Sequence, residues 1–316
     1  MSRTRGTGPA RQAASSLWLV ETLATVLVGL FLLAGIVQLA ATRAADQHHE
    51  SALMRRQAEG RTALEAVARE LRMAGYAGCA RLADRIRGNP DGLPRGFAAA
   101  EPIGGETRIG ADNALGAVAG TDVLRVRRLS VRAATLGEDM STPAGVIPVA
   151  ALPEGFDTGS PLAIADCDGI DFFSAAAVSA TGLQPRSPLA KSYRAGSRVM
   201  APRELTFFIG RNAAGRPTLR RAGHRQAELL EGVADMEILY GEDTDGDGPP
   251  DRYRDANAVA TWSRVRSVRV ALLLHLGSAG DPKSRPQVLT WRGEARADGP
   301  PALVVATTVA LRNQLP

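Results

Sequence analysis

Three hydrophobic patterns succeed one another along this chain. From Leu17 to Thr42 nearly every residue is apolar or small, and Glu21, in "WLVETLATVLVGLF", is the single ionisable group. As a helix these about 26 residues would measure roughly 39 Å at ~1.5 Å per residue, enough to cross a hydrocarbon core of ~30 Å. A span over 17–42 puts Glu21 near one end, where a carboxylate asks for a cationic partner. The second pattern follows at once. Leu53, Leu64, Val67, Ala68 and Leu71 recur at spacings that give one apolar face, among Ala, Glu, Arg and Gln. Gly60 is the weak point of that face, at about 1 kcal/mol relative to Ala. Gly75 and Gly78, flanking Tyr76, supply the stop.

Beyond Cys79 the period shortens to two. "TDVLRVRRLSV" alternates apolar and polar residues, and "LTFFIGRNAAGRPTLRR" reads as a hairpin over Asn-Ala-Ala-Gly. "MEILYG", "VRSVRVALLLHL" and "ALVVATTVALR" predict three further strands. Residues 81–120 and 134–160, rich in Gly, Pro and Ala, read as irregular loops. The predicted fold class is α+β: a long N-terminal helix with a transmembrane first half, packed on a mainly antiparallel β globular domain. The expected divisions are a basic segment 1–16, the helix 17–75 and a β-rich domain 76–316.

Charge sets the expected orientation. Arg3, Arg5 and Arg11 make residues 1–16 purely basic, whereas acids and bases mix after Thr42, so the tail would stay cytoplasmic and 43–316 would lie outside. Lys and Arg together number 38 and the net charge is +5. Only Lys191 and Lys283 are lysine; the arginines are scattered and interleaved with acids, which argues against a nucleic-acid footprint. Cys79 and Cys167 belong to no CxxC pattern. Two buried thiols would suit a cytosolic protein; an external location makes one disulfide the better reading.

The sharpest local motif is "DTDGDGPPD". Asp243, Asp245 and Asp247 recur at every second position, with Pro249 and Asp251 continuing the series around a tight glycine turn. That spacing matches the first half of a calcium loop, in which alternate residues offer oxygens and Pro249 would offer its carbonyl. Arg254 stands where a bidentate glutamate would close the loop, with Asp255 next to it. The competing reading is a solvated acidic turn between strands. No catalytic pattern accompanies it: the histidines, His48, His49, His224 and His275, form no HExxH, and neither GxSxG nor a P-loop is present. Asp166, Asp168 and Asp171 around Cys167 read as turn chemistry. A non-enzyme without a small-molecule substrate is expected.

The basic leader, "LWLVETLATVLVGLFLLAGIVQL" and "LRMAGYAGC" resemble the type IV pilin superfamily, and more narrowly PilW-type minor pilins, relatives of J-type pseudopilins. "GTDVLRVRR", "IADCDGIDFF", "YGEDTDGDGPPDRY" and "VALRN" carry the likeness along the chain. The resemblance implies cleavage by a prepilin peptidase between Ser16 and Leu17, methylation of the new N-terminus, and pairing of Glu21 with the amino group of a neighbouring subunit. Ser16 replaces the family's glycine before the cut, and Leu17 its Phe or Met. The implied function is that of a minor pilin that joins other minor pilins and the major pilin, primes pilus assembly and sits at or near the fibre tip. Its implied location is the inner membrane, as a single-pass precursor, and then the fibre. The alternatives are a J-type pseudopilin of type II secretion and a membrane-anchored calcium-binding module that does not assemble.

Overall fold

The computed structural model describes residues 10–82, 86–87, 93–94, 96–223, 225–276, 288–296 and 301–314, and within its helix the side chains of 22–38 and from Ser51 onward. The chain divides into two compact units, Met1–Arg55 and Arg56–Pro316. One α-helix, Ala10–Arg72, contributes to both. In the first unit its apolar side chains face outward: Leu23 is 62% exposed and Phe31 82%.

The second unit is built on the other end of that helix. Ala63, Leu64, Val67, Ala68, Leu71 and Ala74 are buried at three- and four-residue intervals, which is one face of a 3.6-residue period. That stripe shares a core with Val126, Phe207 and Leu219 of one sheet, and with Met236, Ile238, Val270, Leu272 and Val305 of another. Gly60 stands at the head of the stripe. A Cβ there would lie 2.6 Å from Leu274 Cδ1 and 2.8 Å from a Val305 methyl, so the missing side chain is what lets helix and sheet approach. The helix ends where Gly75 adopts a left-handed φ of 74°, which glycine takes without steric cost. Its last carbonyls are capped from far along the chain: Asn313 Nδ2 donates to Ala74 O at 3.0 Å and to Arg72 O at 3.3 Å.

The larger sheet is organised by the strand Arg198–Arg211, which pairs antiparallel with Val123–Thr135, Pro161–Ala165 and Pro217–Ala222. The last pairing is a hairpin over Asn212–Gly215, the turn read from the sequence. The second sheet runs Arg252–Arg254, Val233–Glu242, Val265–His275, Ala302–Ala310, all antiparallel. Cys79 and Cys167, 88 residues apart, are bonded; the bridge ties the turn after the helix to the Asp166–Gly169 turn of the larger sheet. A loop of that length contributes about 4–5 kcal/mol in the chain-entropy account.

Two expectations are corrected. The α+β class gives way to a mostly β fold, with 43% strand against 19% helix. The regions 81–120 and 134–160 add to the β content, because Ile103–Glu106 and Ile147–Pro148 pair as strands too short to show a period. The second correction concerns the transmembrane half of the expected helix and, with it, single-pass anchoring in the inner membrane. Among the described residues no helix is long and apolar enough to cross a membrane.

The close approach at Gly60 makes a prediction. Gly60→Val should destabilise the protein by about 1–3 kcal/mol through overpacking, despite the helix propensity lost by glycine itself. Denaturant unfolding of the full chain measures it, and an unchanged midpoint would remove the close-packing account.

Candidate functional site

The acidic turn joins Val233–Glu242 to Arg252–Arg254, so that its two ends are held in one antiparallel pair. Gly246 and Gly248 have φ of 88° and 103°, which lets the backbone curl tightly enough to bring alternate side chains together. Asp243, Asp245 and Asp247 converge, with carboxylate oxygens within 4.8 Å of one another. Asp243 is buried while the other two are exposed. Its Oδ1 accepts from Gly246 N at 2.6 Å, and its Oδ2 from Gly248 N at 3.2 Å and from Arg266 Nε at 3.1 Å. The buried carboxylate therefore organises the loop and neutralises an arginine beneath it.

Asp251, Arg254 and Asp255 do not join the cluster. Asp251 Oδ2 accepts from the Thr244 amide and hydroxyl, both at 2.6 Å, and those donors hold its pKa below the ordinary value. Arg254 lies 3.9 Å from the buried Glu242, which also accepts from Arg252 and from the Ala260 and Thr261 amides. Asp255 caps the short 3-10 helix Ala256–Ala258. Asp247 moves the other way: lost hydration raises its pKa first, followed by the adjacent Asp245 charge, with Asp251 and Asp243 adding to it. Asp243 is compensated by Arg266, whereas Asp245 and Asp247 have no cationic partner among the described residues, and their hard oxygens would suit a divalent cation such as calcium. A bound cation would neutralise that charge; Asp245 and Asp247 would hold it, with Asp243 keeping the loop in shape.

Other predicted site residues fall elsewhere. The side chains of Ser16, Leu17 and Glu21 lie outside the described residues, as do those of His48 and His49, while His224 and Lys283 lie outside them altogether. Beside the disulfide, Asp166 accepts from the Asp168 and Gly169 amides and pairs with Lys191. Burial opposes the charge on Asp166, yet Lys191 and those amides hold its pKa low. Asp171 is buried beside them and accepts from Tyr193 Oη and Ala190 N, each at 3.0 Å; burial pushes its pKa up.

Sequence reasoning missed a second buried ionic group. Arg292 takes a left-handed φ of 53° at the tip of the Leu289–Trp291 and Glu294–Arg296 hairpin. Its guanidinium donates to both carboxylates of Asp122 and Asp235 and to Met236 O. Asp122 is quoted in the motif "GTDVLRVRR", but nothing in the spacing links it to an arginine 170 residues later.

The roles within the acidic turn separate by mutation. Asp243→Ala should cost about 3–5 kcal/mol, because it strands the Arg266 charge and two loop amides. Asp245→Ala, on an exposed side chain, should stay within about 0.5 kcal/mol. Thermal or urea unfolding of the two variants checks both values; equal losses would overturn the division of labour.

Residues 206–313 match the family described as Type IV Pilus-assembly protein W. The match begins inside the Arg198–Arg211 strand, takes in the acidic turn, and ends at Asn313, the residue that caps the helix. No curated protein matches the chain. The family match supports a PilW-type protein and, with it, involvement in type IV pilus assembly.

Proposed function

We propose that the chain is a minor pilin that joins other minor pilins and the major pilin to prime pilus assembly, taking a place at or near the fibre tip. The observation that carries this reading is the outward-facing apolar row of the first unit, in which Leu23, Leu27, Phe31 and Ile36 are all exposed. A contiguous apolar surface of this kind marks a site of association, since leaving it in water costs roughly 25 cal/mol for each Å² that a partner would bury. Apolar helices of neighbouring subunits would be partners of matching chemistry. Leader removal between Ser16 and Leu17 by a prepilin peptidase, and pairing of Glu21 with a neighbour's amino group, belong to the same reading.

Calcium in the acidic turn is the second part of the proposal, supported by the three converging carboxylates and by the raised pKa of Asp247. With few ligands and an exposed loop, an affinity of about 10⁻⁴–10⁻³ M is expected.

Four experiments test these statements. In the source organism, Leu27→Asp with Phe31→Asp should abolish surface pili and co-purification with the other minor pilins. The unfolding midpoint of the globular unit should not change, because Leu27 and Phe31 belong to the other compact unit. A normally piliated deletion strain would sink the assembly role, and loss of secretion with pili intact would favour the pseudopilin alternative. Intact mass and N-terminal sequencing with and without the peptidase report on the cut at Ser16. For calcium, calorimetry in the millimolar range should give heat that Asp245→Asn with Asp247→Asn removes; no heat from the wild-type chain ends that reading.

A further inference from the structure

The larger sheet carries an arrangement of charge that its own fold does not need. Arg203 lies directly opposite Arg128 in the pairing of Arg198–Arg211 with Val123–Thr135. Side chains at such positions share a face, with Cβ atoms about 4.5–5.5 Å apart, and like charges there repel. Phe207 is opposite Arg221 on the neighbouring strand, and Phe207 and Arg203 share one face through the period of two. Arg128, Arg203 and Arg221 therefore rise from the same side of the sheet.

One carboxylate meets them. Glu70, on the helix, takes Arg128 Nη2 at 3.0 Å and Nε at 3.2 Å through Oε2, and lies 3.9 Å from Arg221 through Oε1. Glu70 and Arg128 are each 16% exposed and Arg221 is 33% exposed, so the group is recessed but open. Two donors are left over. Arg203, partly buried, has no ion pair or hydrogen bond among the described residues, and the buried Nε of Arg221 has no acceptor there. Nearby acids are committed on the opposite face: Glu204 to Arg127 and Glu228 to Arg220.

We infer that Arg203, Arg128 and Arg221 form a docking site for an acidic side chain of a partner protein. Three guanidiniums against one carboxylate leave the group two charges short of neutrality. The fork geometry of arginine is suited to receiving a further carboxylate bidentately. Charge complementarity selects the occupant. The positive charge is gathered around Glu70 rather than strung out along a track, so it suits one point anion rather than a run of phosphates. A single carboxylate inserted from a second protein meets the unpaired Arg203 guanidinium and offsets the Arg203–Arg128 repulsion. Arg128 and Arg203 lie outside the residues of the family match, and Arg221 lies within them.

The experiment uses the full chain and three probes: a labelled hexaglutamate peptide, inorganic phosphate and a single-stranded oligothymidine. Hexaglutamate should bind in low salt and weaken as salt is raised. Arg203→Gln should lower its affinity at least tenfold, whereas Arg211→Gln, on an exposed residue away from the group, should leave it within twofold. Arg203→Glu should abolish binding and raise the melting temperature, because it places an ion pair opposite Arg128. A purely structural Arg203 would do the reverse and lower the melting temperature on either substitution. Unchanged hexaglutamate binding in Arg203→Gln, a fall in melting temperature in Arg203→Glu, or tighter binding of oligothymidine or phosphate than of hexaglutamate would each overturn the assignment.

Discussion

The globular unit depends on one apolar stripe, Ala63 to Ala74, being buried against two sheets at once. Neither sheet could cover its inner face alone, and the helix is the element common to both. Losing a side chain such as Leu71 from that junction would open a cavity costing about 2–5 kcal/mol, a large fraction of an ordinary domain's stability. Several otherwise unrelated features serve the same junction. Gly60 removes the side chain that would hold helix and sheet apart, Gly75 ends the helix by a left-handed turn, and Asn313 returns from the far end of the chain to cap it. The disulfide then fixes the turn that follows to the larger sheet.

Charge is used in two ways on this frame. In the interior it is matched closely: Arg292 with Asp122 and Asp235, and Arg266 with Asp243, are buried pairs with hydrogen bonds to spare. Such groups add little net stability over apolar packing, but breaking one partner is costly, so they fix register and loop shape. At the surface the matching is incomplete. The acidic turn gathers negative charge on the exposed Asp245 and Asp247, and the Arg203 group gathers positive charge around a single glutamate. A fold under no demand beyond its own stability would have reason to remove both.

Periodicity carried much of the architecture. The three- and four-residue spacing from Leu64 to Leu71 gave the buried helix face, and alternation gave the main strands and the Asn212–Gly215 hairpin. It also led astray. Apolar content from Leu17 to Thr42 suggested a membrane span that the described helix does not support, and the weight given to the helix concealed a mostly β fold. Strands of two to four residues, such as Ile147–Pro148, are too short to leave a periodic trace and exist only because a partner strand lies beside them.

At the acidic turn, the sequence by itself determined that carboxylates alternate around a glycine-rich bend, because a side-chain period is a local property of the backbone. Only the tertiary structure decided how they divide. Asp243 points inward because Arg266 lies below it, Asp251 turns to Thr244, and Arg254 answers Glu242 instead of closing the loop. The same holds for Arg203 and Arg128, 75 residues apart and ordinary in the sequence, which become a like-charged pair only through strand register. Register and long-range ion pairs are fixed by burial of the sheets' inner faces, a property of the whole core that no single segment encodes.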